Sequence, residues 1–132
     1  MTQARETTHR ALKRLLVNGP LIGLPARPGY QALLLHLAAA RFEARKAYRE
    51  SEVNDVLRSW LQTFCAPFGI DHVTMRRLMV DSGLLTRDKA GSIYRINPKT
   101  IGDLDTDRAI EPAQVLAEIE IEREARKRRR AT

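Results

Sequence analysis

Asp71-His-Val-Thr-Met-Arg-Arg-Leu-Met-Val-Asp-Ser-Gly-Leu-Leu-Thr-Arg87, continued by Asp88-Lys-Ala-Gly-Ser-Ile-Tyr-Arg-Ile96, is the stretch on which the reading of this chain turns. Asp71 suits a helix N-cap, because its carboxylate can accept amide protons that have no partner inside the helix. At about 100° per residue, Met75, Leu78, Met79 and Ser82 fall on one side of a helix over 71–82. Val73, Arg76, Arg77 and Val80 point away from that side. Gly83 suits a left-handed helix stop. Leu84-Leu85-Thr86-Arg87, Asp88-Lys89-Ala90-Gly91 and Ser92-Ile93-Tyr94-Arg95-Ile96 then read as strand, tight turn and strand.

Working back toward the N-terminus, Val53, Val56, Leu57, Trp60, Leu61 and Phe64 line one face of a helix over about 50–64. Residues 43–49 read as an extended bridge. Before them, Leu33, Leu34, Leu37, Ala38 and Phe42 mark a nearly all-apolar helix over 31–42, which must be buried on most sides. His36 within it reads as a core histidine bonded to a backbone group. Residues 19–29 carry Pro20, Pro25 and Pro28 and form a stiff connector. It follows a helix over 3–17 that Asn18-Gly19-Pro20 stops. Residues 97–109 are loop-like. A last helix begins near Glu111-Pro112, with a thin stripe of Val115, Leu116 and Ile119.

These readings divide the chain into an N-terminal helix and connector (1–29), a helical and hairpin domain (30–97), and a linker with a last helix and basic tail (98–132). The fold class is mainly α (α+β). Its core is a winged helix-turn-helix-like unit of three helices and a β-hairpin, with extra N- and C-terminal helices.

Composition narrows the function. The 132 residues are 43% hydrophobic and 30% charged, with a net charge of +7. The sequence pI is about 10.2. Such an excess favours a polyanionic partner, nucleic acid before an acidic membrane surface. Segment by segment the net charge is +4, +3 and zero. The zero conceals a polar order, Glu118, Glu120, Glu122 and Glu124 before Arg126, Lys127, Arg128, Arg129 and Arg130. A helix macrodipole favours that order, so the basic end reads either as a well-poled terminus or as a tail contacting nucleic acid. The single Cys65 excludes an internal disulfide and the CxxC pairs of zinc sites. No secretory signal and no stretch of membrane-spanning length is visible, so a reducing cytoplasm is expected.

The order helix, helix, helix, hairpin suits DNA. Helix 71–82 would enter the major groove and hairpin 84–96 would flank it as a wing. His72, Val73 and Thr74 lie at the end that reaches base edges, and Arg76 and Arg77 can grip guanine or phosphate. Arg87, Lys89 and Arg95 place charge along the hairpin, and the tail contacts would be Arg126, Lys127, Arg128, Arg129 and Arg130. The competing structural reading ties Arg77 or Arg87 to Asp81.

Together with the Tyr48-Arg-Glu-Ser-Glu-Val-Asn-Asp-Val-Leu57 stretch, residues 71–87 and Gly91-Ser-Ile-Tyr94 resemble DUF2087, a bacterial domain-of-unknown-function family. Its pattern is an E-V-N helix, then D-H-x-T-L-R-R-x-L-V-D-x-G-x-L-x-R, then a G-S-x-Y hairpin. The resemblance covers about half of the chain, residues 30–96. It implies a winged-helix-like module of cytoplasmic proteins often labelled transcriptional regulators, and it implies no reaction. Its Arg-Arg pair falls on Arg76 and Arg77, its Asp on Asp81, its Gly on Gly83 and its Tyr on Tyr94. The chain departs from the pattern at Arg49, where a capping Ser or Thr is common.

The expected function is therefore DNA binding, as a transcriptional regulator on double-stranded DNA, with no catalysis and no cofactor. One alternative is a protein-interaction module, dimerising through the outer helices 3–17 and 111–128, since neither buries much alone. Another is a haem or metal sensor drawing on His9, His36, His72 and Cys65, although these form no recognised ligand spacing.

Overall fold

The computed structural model describes residues 2–102 and 107–131. In chain order its elements are α1 (Thr2–Leu15), α2 (Pro28–Ala39), β1 (Tyr48–Arg49), α3 (Glu50–Leu61), α4 (His72–Asp81), β2 (Leu85–Arg87), β3 (Ile93–Ile96), α5 (Pro98–Gly102) and α6 (Pro112–Ala131). The protein is mostly helical with one small antiparallel sheet, an α+β arrangement. The strand order is β1-β3-β2, with Tyr48 opposite Tyr94, Leu85 opposite Ile96, Thr86 opposite Arg95 and Arg87 opposite Tyr94.

Residues 43–49, expected as an extended bridge, contribute a two-residue strand only at their end. Tyr48 anchors it: its ring is buried edge-on to Phe42 at 5.1 Å, and its hydroxyl accepts the Glu43 amide proton at 2.7 Å. α2 starts earlier than its apolar run suggests, because Pro28 at the first turn needs no hydrogen-bond partner for its nitrogen. The 97–109 stretch is not all loop. Asn97 donates its amide to Leu84 O, α5 follows, and the Thr100 hydroxyl donates to the Gly83 carbonyl at 3.0 Å.

α4 ends as its sequence dictates. Gly83 adopts φ +81, its amide donates to Val80 O, and the Leu84 amide donates to Met79 O. These two bonds close a Schellman motif and use carbonyls that the helix leaves unpaired.

One core joins the central helices to the outer ones. Leu34, Leu37, Val53, Leu57, Met75, Met79, Leu84 and Tyr94 share it with Leu12 and Leu16 of α1 and Val115, Leu116 and Ile119 of α6. α1 and α6 pack on each other within the chain. His9 lies 2.7 Å from Glu118 and Lys13 lies 2.7 Å from Glu122, the same sequence offset one helical turn apart, so the two helices run parallel. The thin stripes that suggested dimerisation through these helices thus have intramolecular partners. The 19–29 connector is fastened by Leu21, whose amide donates to Phe64 O and whose carbonyl accepts from Ala66 N. Among the described residues no helix is long and apolar enough to cross a membrane.

Candidate nucleic-acid interface

α4 begins at the expected cap. Asp71 accepts the Thr74 amide and the Thr74 hydroxyl, each at 3.2 Å. Burial opposes ionisation of this carboxyl, but hydrogen bonds from Thr74 and Val73 outweigh it and hold its pKa below the ordinary value. The Thr74 hydroxyl is therefore already engaged, although the residue is exposed. Val73 and His72 are half-buried. His72 Nε2 lies 3.4 Å from Arg58 Nη2, and its Nδ1 lies 3.8 Å from Asp71.

The two neighbouring arginines separate. Arg76 is not a solvent-facing group: its side chain is 12% exposed, its Nη2 lies 3.3 Å from Glu50, and its Nη1 donates to Asn54 Oδ1. The reading of Arg76 as a DNA-gripping side chain is corrected by this geometry. The helical step from Met75 toward Met79 carries residue 76 onto the flank that packs against α3, where Glu50 and Asn54 wait. Tyr94 closes the set by donating its hydroxyl to the same Glu50 oxygen at 3.2 Å. Arg77, one position on, is exposed and has no ion pair among the described residues. Asp81 is exposed and unpaired as well, so the expected tie to Arg77 or Arg87 is not formed among the described residues.

The hairpin turn is organised by Asp88. Its carboxylate accepts the Ser92 amide at 2.8 Å, the Ile93 amide at 3.1 Å and the Ser92 hydroxyl at 3.2 Å. The backbone donors of Ile93 and then Ser92 hold its pKa below the ordinary carboxylate value. Gly91 makes the turn possible at φ +73. Arg87, Lys89 and Arg95 are all exposed. They do not share one face. Arg95 stands opposite Thr86 on the outer side of the sheet, whereas Arg87 stands opposite buried Tyr94 on the inner side, with its side chain beside Gly91. Lys89 sits in the turn between them.

The tail cations lie on the final turns of α6. Lys127 pairs with Glu124 at 3.6 Å, and Arg126 lies near Glu122. The histidines and the cysteine are scattered. His9 is on the α1–α6 seam, and His36 donates Nδ1–H to the Ala32 carbonyl, the backbone bond expected of a core histidine. Burial first, opposed by that bond, lowers the His36 pKa. Burial pushes the Cys65 thiol up to about 11, away from thiolate chemistry. No group of three His, Cys, Asp or Glu that could hold a metal occurs among the described residues.

Sequence reasoning missed an apolar feature beside α4. Phe68 is fully exposed at φ +61, and Ile22 is 86% exposed. The turn that presents Phe68 is closely packed at its next residue, where a Cβ on Gly69 would lie 2.7 Å from Leu21 O and 2.9 Å from Ala66 O. A cavity of about 760 Å³ opens there, lined in part by Leu61, Cys65, Pro67, Phe68, Ile70 and His72. The Phe68-Gly69 pair after Pro67 was the available signal; a glycine beside an aromatic in a short turn marks a close backbone approach.

Elements and sheet together define a helix-rich α+β domain in which one helix and one hairpin present basic side chains. The family model for DUF2087, described as an uncharacterized protein conserved in bacteria, matches residues 20–96, and the chain belongs to that family. No curated protein and no solved structure matches it.

Proposed function

We propose that this chain is a DNA-binding protein, a transcriptional regulator of winged-helix type that lays α4 in the major groove with hairpin 84–96 beside it. The observation carrying the reading is the distribution of ion pairs. Between residues 30 and 97, Arg41, Lys46, Arg49, Arg58 and Arg76 each pair with a carboxylate. The bases without such a pair among the described residues are Arg45 and the four on α4 and the hairpin: Arg77, Arg87, Lys89 and Arg95. Cations left in water next to an exposed helix are what phosphate contact requires. The element order of α2 through β3 and the strand order β1-β3-β2 support the winged-helix reading.

The test is fluorescence anisotropy of a labelled duplex against salt. The log–log slope should be about −0.9 per phosphate contacted. Arg77→Ala and Lys89→Ala should each weaken binding several-fold and flatten that slope, and unchanged binding by both would remove this reading.

A second reading, a protein-interaction module, is favoured by Phe68 and Ile22 standing in water. In that reading the chain self-associates in light scattering, Phe68→Ser abolishes the association, and neither protein binds duplex DNA.

A further inference from the structure

The parallel seam of α1 and α6 has unequal sides. α1 ends at Leu15, and Arg123 Nη2 donates to the Val17 carbonyl at 2.7 Å, just past that end. α6 continues to Ala131, and every residue from Arg126 to Ala131 is exposed. Of the α6 carboxylates, Glu118 is engaged by His9 and Glu122 by Lys13 within the packed body, and Glu124 pairs with Lys127 at the start of the basic segment. The result is a helical segment of just under two turns, about 9 Å long, that carries bases and no acid beyond the packed body.

We infer that this end of α6 is a second DNA-contacting element, gripping phosphates on both walls of a duplex groove. Three features point there. At about 100° per residue, Arg126, Lys127, Arg128 and Arg130 spread over an arc of about 200° and put charge onto both flanks of the helix, whereas a flat acidic surface would meet only one. The major groove is about 12 Å wide, admits an α-helix and has phosphates along both edges. Arginine predominates over lysine in the segment, and its planar fork matches phosphate oxygens two at a time. Residues 124–131 contain only Ala125 and Ala131 as apolar side chains, so the helix has no face to bury in a lipid interface. The like charges at Arg126 and Arg130, one turn apart, repel each other until an anion lies alongside. This element shares its class of partner with the α4 reading and uses none of the same residues.

The experiment begins with three full-length proteins, compared by anisotropy on a short mixed-sequence duplex across a salt series. They are the unaltered chain, Arg126→Gln/Lys127→Gln/Arg128→Gln/Arg130→Gln, and Arg77→Ala/Lys89→Ala. Circular dichroism should show the quadruple variant folded, because these side chains lie outside the core. The quadruple variant should lose at least tenfold in duplex affinity at low salt, and its log–log slope should shrink by about 3 to 4. Adding the quadruple change to Arg77→Ala/Lys89→Ala should produce the same loss. An unchanged affinity and slope overturn the proposal. So does equal loss on a single strand of the same length, or tighter binding to phosphatidylserine vesicles than to duplex. Loss confined to Arg77→Ala/Lys89→Ala would leave the α4 reading standing and remove this one. As a further arm, Arg126→Lys/Arg128→Lys/Arg130→Lys keeps the charge and removes the fork. It should bind between the other two, and full loss in it would overturn the electrostatic basis.

Discussion

Arg76 donates a hydrogen bond to Asn54, and the two side chains thereby fix α4 against α3 across 22 residues of sequence. The same guanidinium meets Glu50, and Glu50 also receives the Tyr94 hydroxyl. The Asn of the E-V-N helix, the first arginine of the pair and the hairpin tyrosine are thus bound into one network. Three of the residues on which the resemblance to the family rests therefore build the scaffold.

Arg76→Ala should destabilise the fold by about 2 kcal/mol, since it leaves Glu50 and Asn54 without their shared donor. Thermal denaturation followed by circular dichroism measures this. Arg77→Ala, one residue away and exposed, should leave the midpoint unchanged. Similar midpoints for the two variants would contradict the separation of the pair.

Gly69→Ala should cost more than about 2 kcal/mol, because the new methyl would press on backbone oxygens of Leu21 and Ala66 and not on a side chain that can turn aside. Amide exchange at Leu21 and Ala66, whose bonds tie the connector to the turn after α3, should accelerate first.

Phe68→Asn should raise the thermal midpoint. A bulky side chain at φ +61 carries a conformational cost of about 1 kcal/mol that Asn tolerates better, and no packing is lost from a side chain fully in water. A lowered midpoint would mean that Phe68 makes a stabilising contact.

Acid should loosen the hairpin turn. The Asp88 pKa is depressed in the folded state, so its contribution is complete above the unfolded value and is lost as pH falls through the lower folded value. Amide exchange at Ser92 and Ile93, whose protons Asp88 accepts, should therefore rise below the ordinary carboxylate range. Asp88→Ala should show that fast exchange already at neutral pH.

Much of this arrangement is legible in local sequence. Asp71, Gly83 and Gly91 mark a cap, a stop and a turn through chemistry that each position carries alone, and all three stand where the local rules put them. What was illegible depends on distant partners. Periodicity turned Arg76 away from Met75 and Met79, but only the approach of Glu50 from the start of α3 decides that this flank is enclosed. The mutual packing of α1 and α6 depends on pairs 109 residues apart. The two-residue β1 is too short to show alternation, and it exists because β3 offers it an edge. Strand register decides that Arg87 and Arg95 face opposite ways, and turn composition does not report it.

Glu50 holds Arg76 of α4 with one hand and Tyr94 of β3 with the other. The helix bearing Arg77 and the strand bearing Arg95 behave for that reason as the jaws of a caliper locked at one setting. On the proposed DNA-binding reading, a duplex that spans both must already have the matching width or deform to reach it, and selectivity would then come from its shape and stiffness.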